Sequence, residues 1–201
     1  MPLTVYELFV ESGIEINGQV LWGEAIRDNK PGIYVVSISS NPKKLKTLTN
    51  PPIDSEITQD WLEKVNTLRV DGERPSNIDL IQRLSKFWIP DETILYIGKA
   101  GTSVRDRVNQ YYKTKLGEPR PHAGGHWLKT LLILYELTVF WALTDKPELI
   151  EQELLFRFTQ GVSAESKNKL IDSSNPIPFA NLEYPRGNRK KHGITRSKIK
   201  K

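Results

Sequence analysis

The sequence predicts an α/β fold in which helices flank a small mixed or antiparallel sheet of about three strands. The first observation is that three short runs, residues 33–38, 93–97 and 137–143, are rich in β-branched and aromatic residues, as is typical of strands. The second is that apolar residues recur at helical spacing between and after these runs. Sheets and helices that alternate in this way pack in layers around one core.

The N-terminal half contains an addition to this core. Residues 3–12 predict a short helix, and the glycines in residues 13–30 indicate an irregular passage, so residues 1–30 form an N-terminal helix and extension. Residues 41–90 predict a helical insertion, which opens with several prolines. Asp54 or Ser55 is placed to cap its first helix.

Capping signals also predict the helices of the second half. Thr102 or Ser103 follows the second strand and is suited to the N-terminus of a helix. Residues 125–132 predict another short helix. Pro147 fits the first turn of a longer helix after the third strand, because its missing N–H has no intrahelical partner there.

The composition excludes several classes of site. The 201 residues include no cysteine and three histidines, which excludes disulfide scaffolds, thiolate zinc centres and cysteine nucleophiles. The N-terminus carries acidic residues where a signal peptide would be basic, and no apolar run approaches the roughly 20 residues of a membrane span. We therefore expect a cytoplasmic protein without a membrane partner.

Positive charge is concentrated at the C-terminus. The chain has a formal charge of +5, and residues 186–201 carry eight Lys and Arg without an acid, which leaves −3 for the rest. Such a basic tail, residues 184–201, either contacts phosphates or is simply a solvated end. Its candidate nucleic-acid contacts are Arg189, Lys190 and Lys191.

Two tripeptides carry the functional interpretation. Gly32-Ile33-Tyr34 lies on the first strand and Tyr96-Ile97-Gly98 on the second. Either alone is weak, because an aromatic residue on a strand is usually part of the core. Together with Lys99, Arg107 and Tyr111, which follow in order, they resemble the GIY-YIG nuclease family. The resemblance implies a GIY-YIG nuclease domain over residues 31–183, interrupted by the insertion.

The resemblance extends to the C-terminal third. Glu151 stands where the family has its metal-binding glutamate, and Asn181 lies in a segment similar to the closing motif. Asn175 competes with Asn181, because the spacing from Glu151 is longer than in compact members. The 62 residues between Tyr34 and Tyr96 also exceed the family's short hairpin, although loop closure costs little more for a longer loop.

Helical geometry separates two arginines. Val104, Val108 and Tyr111 define the inward stripe of their helix, and Arg107 lies beside that stripe. Arg105 lies on the other flank and is the rival candidate, also a candidate nucleic-acid contact. A surface ion pair is the alternative for either arginine.

The same reasoning places Glu151 within an apolar face, three residues before Leu154 and four before Leu155. An unpaired buried carboxylate is costly, so Glu151 should meet a metal ion, hydrogen-bond donors or a Lys or Arg. Mg²⁺ suits a single carboxylate because it retains most of its water. Mn²⁺ is the alternative cation.

The resemblance implies hydrolysis of a phosphodiester by in-line attack of water. Tyr34 would take the proton from water or order it, with Lys99 near enough to favour the phenolate. Tyr96 would hold the phosphate or the water, and Arg107 would neutralise the phosphoryl oxygens. Mg²⁺ on Glu151 would stabilise the leaving 3′ oxygen. Two hydrogen-bonding residues would complete the shell: Tyr111 and Asn181.

One further segment, residues 121–127, has no counterpart in the minimal family motifs. Its glycines before a helix would let backbone amides approach a phosphate, with His126 and Trp127 as contacts. A tight loop with a core tryptophan is the alternative.

The predicted function is that of a Mg²⁺-dependent DNA endonuclease of a restriction, defence or repair type, a monomer or a homodimer on DNA. One alternative is a nuclease domain that is active only within a larger repair complex. The other is a catalytically silent nucleic-acid-binding module. The joint occurrence of Tyr34, Tyr96, Lys99, Arg107 and Glu151 favours the enzyme, because binding alone requires no inward carboxylate.

Overall fold

Helices and strands alternate along the chain in this computed structural model, which describes residues 1–118, 125–184 and 187–196. The helices are Val5–Glu11 (α1), Ser55–Lys64 (α2), Asn77–Ser85 (α3), Val104–Lys113 (α4), Gly125–Lys129 (α5), Pro147–Gly161 (α6) and Ala164–Lys169 (α7). The strands are Gly18–Leu21 (β1), Gly32–Ser37 (β2), Leu68–Val70 (β3), Ile94–Ala100 (β4), Thr138–Leu143 (β5), Glu183–Tyr184 (β6), Asn188–Arg189 (β7) and Ile194–Arg196 (β8). Within these ranges, no helix has both the length and the apolar composition of a membrane span.

The main sheet has four antiparallel strands in the order β1-β5-β2-β4. The predicted strands at 33–38, 93–97 and 137–143 correspond to β2, β4 and β5, so the α/β class is confirmed. The predicted number of three strands is wrong, because Gly18–Leu21 pairs with β5 at the sheet's edge. All six residues of β2 are buried, since β2 lies between two strands and helices cover both faces.

Two apolar cores cover the two faces of the sheet. Helices α1 and α6 contribute to one core, which also contains Ile33, Val35 and Ile97. Helices α2 to α5 contribute to the other, which contains Tyr34 and Val36. Successive strand residues point to opposite faces, so Tyr34 and Ile33 belong to different cores. The architecture is therefore helices, sheet and helices in three layers.

The predicted insertion at 41–90 contains α2, β3 and α3. The Asp54 side chain caps α2 by accepting hydrogen bonds from two backbone N–H groups, and Ser76 and Asp79 form a capping box on α3. Trp61 and Leu84 pack into the core on the Tyr34 face. The insertion therefore extends that core.

The C-terminal segment packs on the insertion. Strand β8 pairs with β3, and β7 pairs with β6. Residues 187–196 are therefore folded, where the sequence predicts a solvated tail. Four of the eight predicted tail charges lie outside the described residues: Arg186, Lys198, Lys200 and Lys201.

Candidate active site

Three tyrosine rings lie together on one face of the sheet, at the junction of β2, β4 and α4. The ring centroids of Tyr34 and Tyr96 are 5.7 Å apart, those of Tyr96 and Tyr111 are 5.0 Å apart, and those of Tyr34 and Tyr111 are 6.3 Å apart. Tyr34 and Tyr111 are fully buried. We call these three residues the tyrosine cluster.

The two glycines of the tripeptides have steric reasons. Gly98 pairs with Tyr34 across the β2–β4 ladder, and a Cβ atom there would lie 2.8 Å from Cζ and 2.9 Å from the hydroxyl oxygen of Tyr34. A Cβ at Gly32 would lie 2.8 Å from Cγ2 of Val104. Gly98 therefore makes room for the Tyr34 hydroxyl, and Gly32 lets α4 approach β2.

The tyrosine hydroxyls are held in their protonated form. Burial raises the pKa of Tyr34 well above its ordinary value, the neighbouring Tyr96 and Tyr111 raise it further, and the charge of Arg107 opposes the shift. The Tyr34 hydroxyl makes no hydrogen bond of regular geometry, although Tyr96 lies close enough to act on its pKa. Tyr34 is therefore a neutral phenol at neutral pH.

Arg107 is the cation beside the tyrosine cluster. The backbone N–H of Val104 donates to Lys30 O at 2.9 Å, which fixes the start of α4 beside β2. The half-buried Arg107 then lies one helical turn further along. Its charge lowers the pKa of all three tyrosines and of Glu151. Arg105 instead pairs with Asp106 at 3.0 Å.

A shallow cleft of about 310 Å³ opens beside this arginine. Lys99 and Arg107 both line it, together with the first turn of α4. The Nη1 of Arg107 donates to Oε1 of Gln110 at 3.4 Å, which is a long contact. Two cations at one cleft favour a bound anion such as a phosphate group.

Lys99 pairs with Glu151 rather than with Tyr34. Its Nζ lies 3.1 Å from Oε2 of Glu151 and 4.0 Å from Oε1 of Glu148. Lys99 opposes Ile33 in the ladder, so its side chain leaves the sheet on the face opposite Tyr34. The prediction that Lys99 favours a Tyr34 phenolate is therefore wrong, and the ion-pair alternative describes Glu151.

Glu151 nevertheless acts on the tyrosine cluster. Its side chain is 16% exposed, and burial raises its pKa, with the Lys99 contact opposing the shift. The carboxylate raises the pKa of Tyr96, and Arg107 lowers the pKa of Glu151. Glu151 on α6 and Arg107 on α4 therefore influence each other beside the edge strand β4.

The residues present fit a weakly held, hydrated divalent cation. The described part of the chain contains no group of three or more His, Cys, Asp or Glu that could enclose a metal ion. Mg²⁺ needs only one or two carboxylates when waters and phosphate oxygens complete its shell. Glu151 offers one partly accessible carboxylate, for which the ammonium of Lys99 is the competing partner.

Asn181 has a different role from the one predicted. Its Nδ2 donates to Ile97 O at 2.8 Å, and its Oδ1 accepts from Ile97 N–H at 2.9 Å. Both polar groups are used on the exposed edge of β4, so Asn181 positions Tyr96 through the adjacent backbone. Its rival, Asn175, lines a separate cleft with Tyr184.

Two predicted nucleic-acid contacts are structural instead. His126 is 3% exposed, and its Nε2 and Nδ1 bond to Glu118 O at 2.6 Å and Gly117 N–H at 3.4 Å. Lys190 is 4% exposed, and its ammonium donates to Pro178 O and Phe179 O, each at 2.9 Å. Neither side chain is free to reach a phosphate. Residues 121–124 of the same predicted loop lie outside the described residues.

Two other predicted contacts are accessible. Arg189 has a side chain that is 81% exposed and lies 3.6 Å from Glu183, and Lys191 is exposed. Sequence reasoning missed two residues that adjoin the site, Glu148 and Gln110. Each lies three positions from a predicted site residue on its helix, a spacing that places two side chains on one face.

The site thus combines three buried phenols, one arginine and a carboxylate that a lysine neutralises. Its two glycines permit the close approach of the tyrosine rings and of α4. Comparisons with models of protein families, with curated proteins and with solved structures find no match to this chain.

Proposed function

We propose that this protein is an endonuclease that hydrolyses phosphodiester bonds of DNA with the help of Mg²⁺, or of Mn²⁺ in its place. The observation that supports the proposal is the position of Arg107, whose charge acts on three tyrosines and a carboxylate. The cleft that Arg107 shares with Lys99 offers two cations to one phosphate. Arg107 would offset the negative charge that develops on the phosphoryl oxygens.

The high pKa of Tyr34 changes its role from the one that the resemblance implies. At neutral pH fewer than about one in a thousand such phenols would be ionised, so a phenolate base would be scarce. A neutral phenol donates one hydrogen bond and accepts others. Tyr34 would therefore orient the attacking water or a phosphoryl oxygen, and Tyr96 would do the same from β4.

Glu151 is the residue that would hold the divalent cation. Such an ion would supply positive charge for the leaving oxygen. Burial raises the pKa of Glu151, so protonation competes with metal binding at acidic pH. Lys99 would be free to turn towards the cleft that it already lines once its carboxylate has another partner.

A second function has an observation in its favour. The Lys99–Glu151 pair neutralises the carboxylate, and no larger cluster of metal ligands occurs in the described ranges. A protein that only binds nucleic acid would retain both features. This silent binding module is therefore the competing proposal.

Cleavage assays distinguish the two. The purified protein is incubated with supercoiled, linear and branched DNA and with RNA, in Mg²⁺, in Mn²⁺ and in chelator. We expect cleavage of DNA with either metal, none with chelator, and none by Glu151→Gln. DNA binding without cleavage in either metal would overturn the proposal and favour the silent module.

A further inference from the structure

A second cavity, of about 410 Å³, lies between the insertion and the C-terminal segment. Four of the residues that line it are aromatic or imidazole rings, Trp61, Trp127, His126 and His192. The ring centroids are 5.5 Å apart for Trp61 and His126 and 5.7 Å apart for Trp127 and His192. We call it the aromatic cavity.

The aromatic cavity adjoins the core that contains the tyrosine cluster. Trp61 and Trp127 belong to the same apolar cluster as Tyr34. Leu182, which also lines the cavity, directly follows Asn181, and Asn181 fixes the backbone beside Tyr96. The cavity and the candidate active site therefore lie on the same side of the sheet.

The cavity walls contain hydrogen-bond donors without partners. The Nε1–H of Trp61 is buried and makes no hydrogen bond, in a residue that is only 3% exposed. Buried polar groups are almost always paired. This donor is thus available for an acceptor atom on a molecule in the cavity.

His192 provides a second donor. Its Nδ1 accepts from the Ile194 N–H at 2.9 Å, so the proton of the neutral ring is on Nε2, for which the described residues provide no partner. Burial, aided by the charges of Lys190, Arg83 and Arg189, lowers the pKa of His192 to about 4. The ring is therefore neutral at neutral pH.

The rim of the cavity is cationic. Arg189 and Arg196 line it and are exposed. The charge of Arg196 contributes to the lowered pKa of His126, after the larger effect of burial, which places Arg196 close to the rings. Flat apolar walls below exposed guanidinium groups match a nucleobase attached to its phosphates.

We propose that the aromatic cavity receives one unpaired nucleobase of a DNA strand, while Arg189 and Arg196 contact the neighbouring phosphates. The inference deepens the proposed function and rests on it, because the strand bound is the nuclease substrate. The volume suits one base, since small-ligand sites begin at about 300 Å³. Stacking on tryptophan is insensitive to sequence, and the indole N–H adds a contact to a base acceptor.

The test compares two single strands that differ only in their bases. One is a fluorescein-labelled thymidine 12-mer, and the other is the same backbone with abasic residues. Binding is measured by fluorescence anisotropy in chelator, so that cleavage plays no part. We expect the wild-type protein to bind the thymidine strand about tenfold or more tightly than the abasic strand, as stacking of a base on an aromatic side chain predicts.

Variants assign the preference to the cavity. Trp61→Leu should reduce the ratio of the two affinities to about one without changing binding of the abasic strand. Trp61→Phe, which keeps a ring without the N–H, should give an intermediate ratio. Arg196→Gln should weaken both strands equally. The matched control is Trp88→Phe, which removes a buried indole that bonds to Leu48 O outside the cavity and should leave the ratio unchanged.

Three outcomes would overturn the inference. They are equal binding of both strands by the wild-type protein, an unchanged ratio in Trp61→Leu, and thymidine monophosphate binding as tightly as the 12-mer, which would indicate a site for free nucleotides. Circular dichroism and thermal melting of each variant check its fold. The proposed nuclease function fails separately, through cleavage assays that these binding measurements do not use.

Discussion

The ammonium of Lys99 and the carboxylate of Glu151 lie 3.1 Å apart, one on strand β4 and the other on helix α6. The lysine is 40% exposed and the glutamate 16% exposed, so the pair is partly screened by solvent. A divalent cation would have to replace the lysine as the partner of this carboxylate. The pair therefore joins metal binding to the release of a cation beside the proposed phosphate site.

Replacement of Glu151 tests this relationship. We expect Glu151→Gln to lower the cleavage rate by at least about a hundredfold, because the metal would lose its carboxylate ligand. DNA binding should stay the same or become tighter, since a negative charge near phosphate is removed. The matched control is Glu148→Gln, whose side chain is 63% exposed and 4.0 Å from Lys99, and whose cleavage should change little. Equal losses in the two variants would contradict the assignment.

The two arginines of α4 should differ in their effect on cleavage. Arg107→Gln should reduce the rate by about a hundred- to a thousandfold, as loss of one preorganised donor to a developing charge does. Arg105→Gln removes the same charge from a side chain that pairs with exposed Asp106. It should weaken DNA binding slightly and leave the rate of bound substrate unchanged. Single-turnover kinetics separates these effects, and similar rates for both variants would show that Arg107 is a surface residue.

Gly98 should tolerate no side chain. In Gly98→Ala the new Cβ would lie under 3 Å from the Tyr34 ring and hydroxyl, so the rings or the strands must move. We expect a loss of about 1–3 kcal/mol in the free energy of unfolding, together with reduced cleavage. The control is Gly101→Ala, which meets no atom within 4 Å. Chemical denaturation of both variants measures the difference, and two equally stable variants would refute the steric argument.

The sequence predicts well those elements whose signal is local. β2, β4 and β5 are continuous apolar runs, and Asp54 and Ser103 cap their helices as predicted. β1 was missed because Gly18 and Gln19 have low strand propensity and the strand is only four residues long. Its partner, β5, is more than a hundred residues away along the chain.

The site shows the same limit. The alternation of side chains along a strand already places Lys99 on the face opposite Tyr96, so its pairing with α6 could have been predicted from residue parity. The burial of Lys190 could not. Within its basic run nothing distinguishes Lys190 from Lys191, and its two carbonyl partners, on Pro178 and Phe179, lie 12 and 11 residues away.

A buried acid should make stability depend on pH. Glu92 is 2% exposed, and both of its carboxylate oxygens lack hydrogen-bond partners. Burial, aided by the charge of Asp91, raises its pKa to about 8 from an ordinary value of 4.5. The neutral acid is therefore favoured in the folded protein.

The sign of the effect follows from the raised pKa. Below pH 4.5 Glu92 is protonated in both states, and as the pH rises towards about 8 only the unfolded state gains the charge freely. The free energy of unfolding should fall by on the order of 4 kcal/mol over this window through Glu92. Denaturation at several pH values measures it, and Glu92→Gln should remove most of the slope. A wild-type slope retained by the variant would assign it to other groups.

The C-terminal segment should contribute to folding as far as residue 196. Lys190 donates two hydrogen bonds in the core, and β8 pairs with β3. A chain that ends at Tyr184 lacks both and should be markedly less stable than the full chain. Lys190→Met should also lose stability, because Pro178 O and Phe179 O lose their donor. Thermal melting compares these proteins, and unchanged melting of the chain ending at Tyr184 would show that the segment adds nothing.

A chain that ends at Arg196 isolates the charges beyond β8. It lacks residues 197–201, which include three lysines, and keeps every described contact of β7 and β8, so it should melt like the full chain. Each phosphate that a lysine neutralises contributes about −0.9 to the slope of log affinity against log salt on duplex DNA. We therefore expect this chain to bind DNA more weakly with a shallower slope, and to cut at the same positions, because phosphate contacts carry no sequence information. Anisotropy at several salt concentrations measures the slope. An unchanged slope would mean that these lysines do not contact DNA, and altered cut positions would mean that they help to select the site.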